Sequence, residues 1–114
     1  MLRKFLSVLA VTHAGMGLAA MPAQAEEPVK IGLMEDLSSI FMDIAGPGSV
    51  TAAEFAIEDF GGEVLGRPIR LLAADHHNDP AQAAAIATEW IEQEKVGLIT
   101  GISASAASLA VRQL

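Results

Sequence analysis

Residues 69–100 read IRLLAADHHNDPAQAAAIATEWIEQEKVGLIT, and this stretch decides the fold of the chain. It opens and closes with short apolar runs, 69–74 and 96–100, and each run predicts a buried strand. Between them, apolar residues recur at helical spacing and predict an amphipathic helix. Strand, helix and strand in this order predict parallel strands joined by a right-handed crossover. The helical stripe, which includes a tryptophan expected in the core, is formed by Ala83, Ile86, Ala87, Trp90 and Ile91.

The start of this helix carries a capping pattern. Asp79 occupies the N-cap position, Pro80 the first helical position, and Gln82 follows three residues after the cap. The Asp79 carboxylate can accept hydrogen bonds from the free amides of the first turn, and Gln82 is expected to reach back to the cap. The polar loop 75–79 is therefore expected to lead into a helix at residue 80.

The same alternation extends to both sides of this stretch. An apolar run at 29–34 predicts a first strand, and the Gly-Pro-Gly-Ser group at 46–49 is expected to open a helix that stops at the Gly-Gly pair 61–62. Residues 65–68 predict a turn, and a third helix is expected over 106–114. Together the elements predict an α/β fold with a doubly wound parallel sheet. The apolar face of the first helix is formed by Val50, Ala53, Ile57 and Phe60.

Composition excludes several classes of protein. The 114 residues are enough for one small domain and too few for two, and a content of 52% apolar and 18% charged residues excludes a disordered or low-complexity chain. Its net charge of -7, with no basic run, argues against binding nucleic acid or an anionic lipid surface. Cysteine is absent, which excludes disulfide scaffolds, cysteine-based zinc sites, thiol nucleophiles and a lipidated cysteine.

The first 25 residues are predicted to be a secretory signal peptide. A basic start at Arg3 and Lys4 precedes a mostly apolar run over 5–20, and an Ala-Gln-Ala group ending at Ala25 places small residues where a signal peptidase cuts. The charge-free run is marginal against the roughly 20 residues that a membrane span needs. We therefore expect cleavage after Ala25 and a product in a bacterial periplasm.

The other end of the chain predicts a partial domain. Leu114 ends the sequence inside the third helix without a stop signal, and three parallel strands would leave the outer edge of the last strand uncovered. Residues 26–114 are therefore expected to be the N-terminal part of a larger unit.

The candidate site lies where the predicted strands end, because doubly wound sheets bind ligands beyond the carboxyl ends of their strands. Residues 101–105, Gly-Ile-Ser-Ala-Ser, lead into a helix, so backbone amides and serine hydroxyls there could hold a carboxylate. The alternative is that Ser105 only caps the helix. Residues 37–43, after the first strand, mix hydroxyl groups with an aromatic ring, which suits a small amphipathic ligand. The alternative there is an ordinary loop whose Phe41 packs into the core.

No pattern in the sequence predicts catalysis or a cofactor. His76 and His77 lack a third ligand at metal-binding spacing, so their loop is expected to cap a helix. Glu35 and Asp36 resemble the acidic pair of response-regulator receivers, but the third predicted strand ends in Thr100, where a receiver needs a phosphate-accepting aspartate. The glycine groups match neither the dinucleotide-binding nor the P-loop spacing. The sequence therefore carries no catalytic signature, and no metal or cofactor is predicted.

The ordered set of segments resembles type I periplasmic solute-binding proteins, in the leucine/isoleucine/valine-binding branch that serves ABC importers. The resemblance covers essentially all of residues 29–114, and no single motif carries it. The segments that carry the resemblance are Lys30-Ile31-Gly32, residues 37–49, the helix 52–60, the turn 65–69, the loop 74–80 and residues 101–105.

This resemblance implies a Rossmann-like first lobe, of which the chain holds the first part, and a second lobe that closes on a ligand. The ligand carboxylate would be held by Ser103, Ala104 and Ser105, with Ser105 the main contact, while Ser39 and Phe41 would line the cleft. The implied partners are an amino acid or similar small carboxylate and the membrane permease of an ABC importer, with a monomeric full-length protein. Three alternatives stay open: a sensory module of the same fold, a carrier of aromatic carboxylates, and a secreted enzyme on the same scaffold.

Overall fold

The computed structural model describes residues 26–114. The predicted signal peptide and its cleavage site after Ala25 lie outside these described residues. No helix within residues 26–114 has both the length and the apolar character needed to cross a bilayer.

Four strands and four helices alternate along the described part of the chain. The strands form one sheet in the order β2-β3-β1-β4, in which β1 pairs in parallel with both β3 and β4, and β2 pairs antiparallel with β3. The prediction of an α/β fold with parallel strands is therefore confirmed. In chain order the elements are β1 (Val29–Glu35), α1 (Met42–Ala45), α2 (Pro47–Phe60), β2 (Glu63–Val64), β3 (Arg67–Asp75), α3 (Pro80–Glu89), which continues as a π-helical turn (Trp90–Glu94), β4 (Leu98–Gly101) and α4 (Ser105–Val111).

The chain winds outward from β1 in both directions. β3 lies on one side of β1 and β4 on the other, so the loops that follow β1 and β4 separate at the carboxyl edge of the sheet. Glu35 of β1 lies beside Asp75 of β3, and Met34 lies beside Gly101 of β4. Such a switch point leaves a crevice between neighbouring strand ends, which is where α/β sheets bind ligands.

The core lies between one face of the sheet and helices α3 and α4. As expected, Trp90 is buried, with 6% of its surface exposed, and its ring covers Gly32 of β1. Alternate strand residues supply the sheet side of this core, because side chains point to opposite faces in turn. The buried members are Met34, Ala83, Ala87, Trp90, Ala104 and Ala107.

Capping fixes the ends of α3. The Asp79 side chain accepts hydrogen bonds from the amides of Ala81 (2.8 Å) and Gln82 (3.4 Å), as expected of an N-cap residue. The Gln82 side chain does not return to the cap: its Nε2 donates to the Asp75 carbonyl at 3.1 Å. This bond ties the first turn of the helix to the end of β3 instead.

Three further details differ from the sequence predictions. Where the sequence predicts a simple turn at 65–68, the structure has a hairpin formed by β2 and the start of β3. Its two-residue turn is of type I′, which requires the positive φ that both Leu65 and Gly66 have. Phe60 is 66% exposed because α2 contacts the sheet through β3 rather than along its whole apolar face. Ser105 does not cap α4: Ala104 is the N-cap residue and no side chain caps this helix.

Candidate functional site

A cavity of about 450 Å³ opens at the carboxyl edge of the sheet. Loops after all three parallel strands contribute to its wall, so its position agrees with the switch point between β1 and β4. None of the lining residues is charged. The lining consists of Phe41, Ile44, Ala45, Asn78, Ser103, Ala104 and Ser105.

Asp36 shapes the loop that brings Phe41 to the cavity. Its buried carboxylate accepts hydrogen bonds from the Ser39 amide (2.7 Å), the Ser39 hydroxyl (2.5 Å) and the Phe41 amide (2.9 Å). Burial acts to raise the pKa of Asp36, but these hydrogen bonds outweigh burial and lower its pKa to about 2. The carboxylate is therefore a structural acceptor that folds the loop around itself.

Asp75, at the end of β3, joins this loop to the next one. Its carboxylate accepts from the Leu37 amide (3.1 Å), the Ser38 hydroxyl (2.6 Å) and the His77 amide (2.8 Å), and it lies 3.1 Å from the His77 ring. Burial acts to raise the pKa of Asp75, while the bonds from Ser38, His77 and Leu37 lower it, with the net shift downward. The loops after β1 and β3 are thus held together by one ionised side chain.

We expect replacement of Asp36 by asparagine to make the stability of the protein less dependent on acid pH. A carboxylate whose folded pKa is about 2, below its ordinary 3.8, stabilises the fold fully above about pH 4 and loses that contribution as pH falls through 2. Urea unfolding at several pH values should show the wild type more stable than D36N at pH 5, with the difference shrinking toward pH 2. D43N, a change at an exposed aspartate of α1, is the matched control; a D36N difference that stays constant with pH would contradict this account.

Glu35, at the end of β1, holds the loop that follows β4. Its Oε2 accepts hydrogen bonds from the Ser103 hydroxyl (2.7 Å) and the Ser103 amide (3.2 Å), while the Ile102 amide donates to the Met34 carbonyl at 2.7 Å. The chain leaves β4 through Gly101 at φ 83° and Ile102 at φ 56°, which bends it back over the end of β1. We call this pair, Glu35 and Ser103, the clasp; it fixes the loop that precedes α4.

Ser105 presents a free hydroxyl to the cavity. It is the first residue of α4, it is exposed, and its side chain makes none of the hydrogen bonds found among residues 26–114. The first amides of any helix lack an intrahelical acceptor, and in α4 the N-cap residue Ala104 supplies no side-chain acceptor in its place. Donors therefore face the cavity from this wall, and no carboxylate opposes them there.

Four of the five site residues proposed from the sequence lie in the cavity lining: Phe41, Ser103, Ala104 and Ser105. Phe41 is 37% exposed, so it does not pack into the core as the alternative reading held. Ser39 does not reach the lining, because its amide and hydroxyl are both engaged by Asp36.

The sequence analysis missed three lining residues, Ile44, Ala45 and Asn78. The first two lie on α1, a single helical turn without a capping side chain, so the sequence offers no signal that predicts this helix. Asn78 follows β3, in the polar loop 75–79 that was assigned to helix capping. A carboxamide at a strand end was the one signal that could have identified it.

The acidic and imidazole groups at this edge do not assemble a metal site. Within residues 26–114, no group of three histidine or acidic side chains converges as metal ligands would. The carboxylates of Glu35, Asp36 and Asp75 instead accept from amides and hydroxyls of the surrounding loops.

Comparison with known protein families gives one match across this region. A family model described as periplasmic binding protein matches residues 28–114. A curated relative, glutamate receptor 1.1 of Arabidopsis thaliana, is 34% identical over an alignment of 98 residues that covers 84% of this chain and 12% of the receptor.

Solved structures resemble the described fold closely. A periplasmic binding protein from Burkholderia mallei is 40% identical with a TM-score of 0.74, over 76% of this chain and 23% of that one. A branched-chain amino acid ABC transporter periplasmic ligand-binding protein from Burkholderia xenovorans is 40% identical with a TM-score of 0.71, over 75% and 23%. An ABC transporter solute-binding protein from Rhodopseudomonas palustris, in complex with 3,4-dihydroxybenzoic acid, is 27% identical with a TM-score of 0.69, over 75% and 23%. The chain thus spans about a quarter of the length of these structures.

Proposed function

This chain belongs to the periplasmic binding protein family, and from that premise we propose that it captures a small carboxylate for the permease of an ABC importer. The amino acids carried by the branched-chain relatives are the first ligand class to consider. In this proposal residues 26–114 form the N-terminal part of the first of two lobes, and the protein acts without catalysis, as a monomer in the periplasm.

The observation that carries this proposal is the character of the cavity. One wall is apolar, formed by Phe41, Ile44 and Ala45, while another wall presents neutral hydrogen-bond donors around Ser105. A ligand with a carboxylate at one end and an apolar group at the other satisfies both walls, and small-molecule sites have this mixed lining. The absence of a charged side chain among the lining residues means that the carboxylate would be held by neutral donors.

Each proposed contact has a distinct part in this arrangement. Ser105 donates its hydroxyl to the ligand carboxylate, beside the backbone of Ala104. Ser103 holds the loop in place, since its hydroxyl and amide both donate to Glu35. Ser39 acts through Asp36, which sets the loop that carries Phe41 to the apolar wall.

Calorimetric titration of the full-length protein tests this function. We expect binding of at least one compound from a panel of L-leucine, L-isoleucine, L-valine, benzoate and 4-hydroxybenzoate. The matching alcohols or amides, which lack the carboxylate, should not bind measurably. Failure of every carboxylate in the panel, or equal binding of leucinol and leucine, would overturn the proposal.

Ser105→Ala should weaken the bound carboxylate about threefold to tenfold, and up to about 100-fold, because one net hydrogen bond is worth about 0.5–1.5 kcal/mol and up to about 3 kcal/mol when its partner is charged. Ser108→Ala is the matched control, since Ser108 lies on the same helix outside the cavity lining. Equal affinities for the wild type and both variants would remove Ser105 from the binding site.

A carrier of aromatic carboxylates is the second candidate, supported by a specific feature. The ring of Phe41 with Ile44 and Ala45 offers an apolar wall suited to a flat ring, and one related structure holds 3,4-dihydroxybenzoic acid. Tighter binding of benzoates than of leucine in the same titration would favour it.

The third candidate is a sensory module, which the likeness to a plant glutamate receptor supports. A membrane-spanning segment encoded downstream in the gene would favour this candidate.

A further inference from the structure

We propose that Asn78 contacts the ligand directly and that His76 is the positioning residue that holds Asn78 at the cavity. This inference rests on the proposed function, because it assigns a second polar contact to the same binding site. Ser105 would hold the carboxylate, and the Asn78 carboxamide would hydrogen-bond another polar group of the ligand, such as an ammonium or a ring hydroxyl.

Asn78 lies in a turn with left-handed backbone conformation. Residues 76–79 form a tight turn in which the Asp79 amide donates to the His76 carbonyl at 2.7 Å. Its two central residues, His77 (φ 49°) and Asn78 (φ 56°), are both left-handed, although neither is glycine. Asparagine tolerates this region, whereas a histidine is held there only where the surrounding structure fixes it, and such fixed residues cluster at binding sites.

His76 supplies the contact that fixes this turn. It is fully buried, with 0% of its surface exposed, and its Nδ1 accepts a hydrogen bond from the Asn78 amide at 2.9 Å. Its own amide donates to the Glu35 carbonyl at 3.1 Å, which anchors the turn to the end of β1. Since Nδ1 is the acceptor, the ring proton of a neutral His76 is on Nε2.

The Nε2 atom of His76 is buried and has no hydrogen-bond partner within residues 26–114. A buried donor without an acceptor disfavours folding, so an apolar side chain would suit this position better on packing grounds. What histidine contributes here is therefore its Nδ1 acceptor, and that acceptor serves Asn78.

The Asn78 side chain is available to a ligand. It is half-buried in the cavity wall, and its carboxamide makes none of the hydrogen bonds found in the described part of the chain. A carboxamide can donate from its nitrogen and accept at its oxygen, so it can pair with an ammonium or with a hydroxyl. It comes from the loop after β3, whereas Ser105 comes from the loop after β4, and the two would grip different groups of one ligand.

Four variants of the full-length protein test the proposal with L-leucine and 4-hydroxybenzoate as probes. N78G removes the carboxamide but keeps the left-handed backbone, because glycine adopts it readily. It should weaken the tighter-binding probe about threefold to tenfold, the loss of one hydrogen bond. N78D keeps the acceptor and removes the donors, which shows whether Asn78 donates or accepts. Affinity of N78G within twofold of the wild type for both probes would overturn the ligand contact.

Variants of His76 test the positioning role. In H76N the asparagine oxygen takes the place of Nδ1 and can accept from the Asn78 amide, whereas H76L has no acceptor. We expect H76N to bind within twofold of the wild type and H76L to lose as much affinity as N78G. Equal losses of affinity in H76N and H76L would show that His76 acts only through packing. If H76L does not fold, the affinity of H76N is compared with that of N78G, and a loss in H76N as large as that in N78G would contradict the positioning role.

Hydrogen exchange at the Asn78 amide separates this proposal from the proposed function. The amide should exchange slowly in the wild type and H76N and rapidly in H76L, with or without ligand. Fast exchange in the wild type would overturn the positioning by His76. A wild type that binds no carboxylate yet protects this amide would overturn the proposed function and the ligand contact, and leave the positioning by His76 supported.

Discussion

Gly32→Ala should destabilise the protein at the upper end of the roughly 1–3 kcal/mol that overpacking of a core costs. A Cβ atom at residue 32 would overlap Cε3 and Cζ3 of the buried Trp90 ring. The ring cannot withdraw easily, because it is packed among Met34, Ala83 and Ala87 in the core. Urea unfolding followed by the fluorescence of Trp90, the single tryptophan, measures the effect directly.

Two further variants isolate the cause of this destabilisation. G48A is the matched control, because no atom lies within 4 Å of a Cβ at this helical position and alanine favours a helix. In the W90L background, followed by circular dichroism, Gly32→Ala should cost less than in the wild type, since the smaller side chain vacates the overlapped space. An equal cost in both backgrounds would show that Trp90 is not what makes glycine necessary.

Gly101→Ala should destabilise the fold and also weaken ligand binding. Its φ of 83° disfavours any residue with a Cβ by about 1–2 kcal/mol. The new Cβ would in addition lie 2.8 Å from the Met34 carbonyl oxygen and 2.9 Å from Glu35 Oε1. Both atoms belong to the end of β1, so relief of the contact must shift the clasp between Glu35 and Ser103. Unfolding and titration of one preparation measure the two effects together.

Gly66→Ala is the control for the backbone contribution at Gly101. Gly66 has a φ of 77°, close to that of Gly101, but no atom lies within 4 Å of its Cβ position. G66A should therefore lose about 1–2 kcal/mol of stability and no ligand affinity. If G101A is no more destabilised than G66A and binds its ligand normally, the close approach to β1 is unimportant.

Periodicity was enough to predict the parallel strands and the helices between them. The stripe that ends in Trp90 and the capping group at Asp79 both act locally, so neighbouring residues alone reveal them. The β2 hairpin was missed because β2 has two residues and its turn places Leu65 at positive φ, where sequence leads one to expect asparagine or glycine. The helical pattern predicts that Phe60 belongs to the apolar face, but it does not specify how much of that face the sheet covers.

The candidate site was predictable in location and only partly in composition. Doubly wound sheets bind ligands beyond the carboxyl ends of their strands, and this rule predicted the location of the cavity that Phe41 and Ser105 line. The same rule did not predict that the amide and the hydroxyl of Ser39 would both donate to Asp36. Those bonds depend on the conformation of the loop, which the spacing of residues in the sequence does not determine. Asn78 was missed for a similar reason: the hydrogen bond from its amide to His76 depends on the turn at 76–79, which no spacing predicts.

The clasp between Glu35 and Ser103 also governs when a binding site first exists during folding. The two residues are 68 positions apart in the chain, so their meeting requires the closure of a long loop. A nascent chain folded only through β3 would have the apolar wall and not the donors around Ser105. The part of the cavity wall that carries Ser105 therefore forms only when β4 docks beside β1, and any partly unfolded form without that docking lacks this wall.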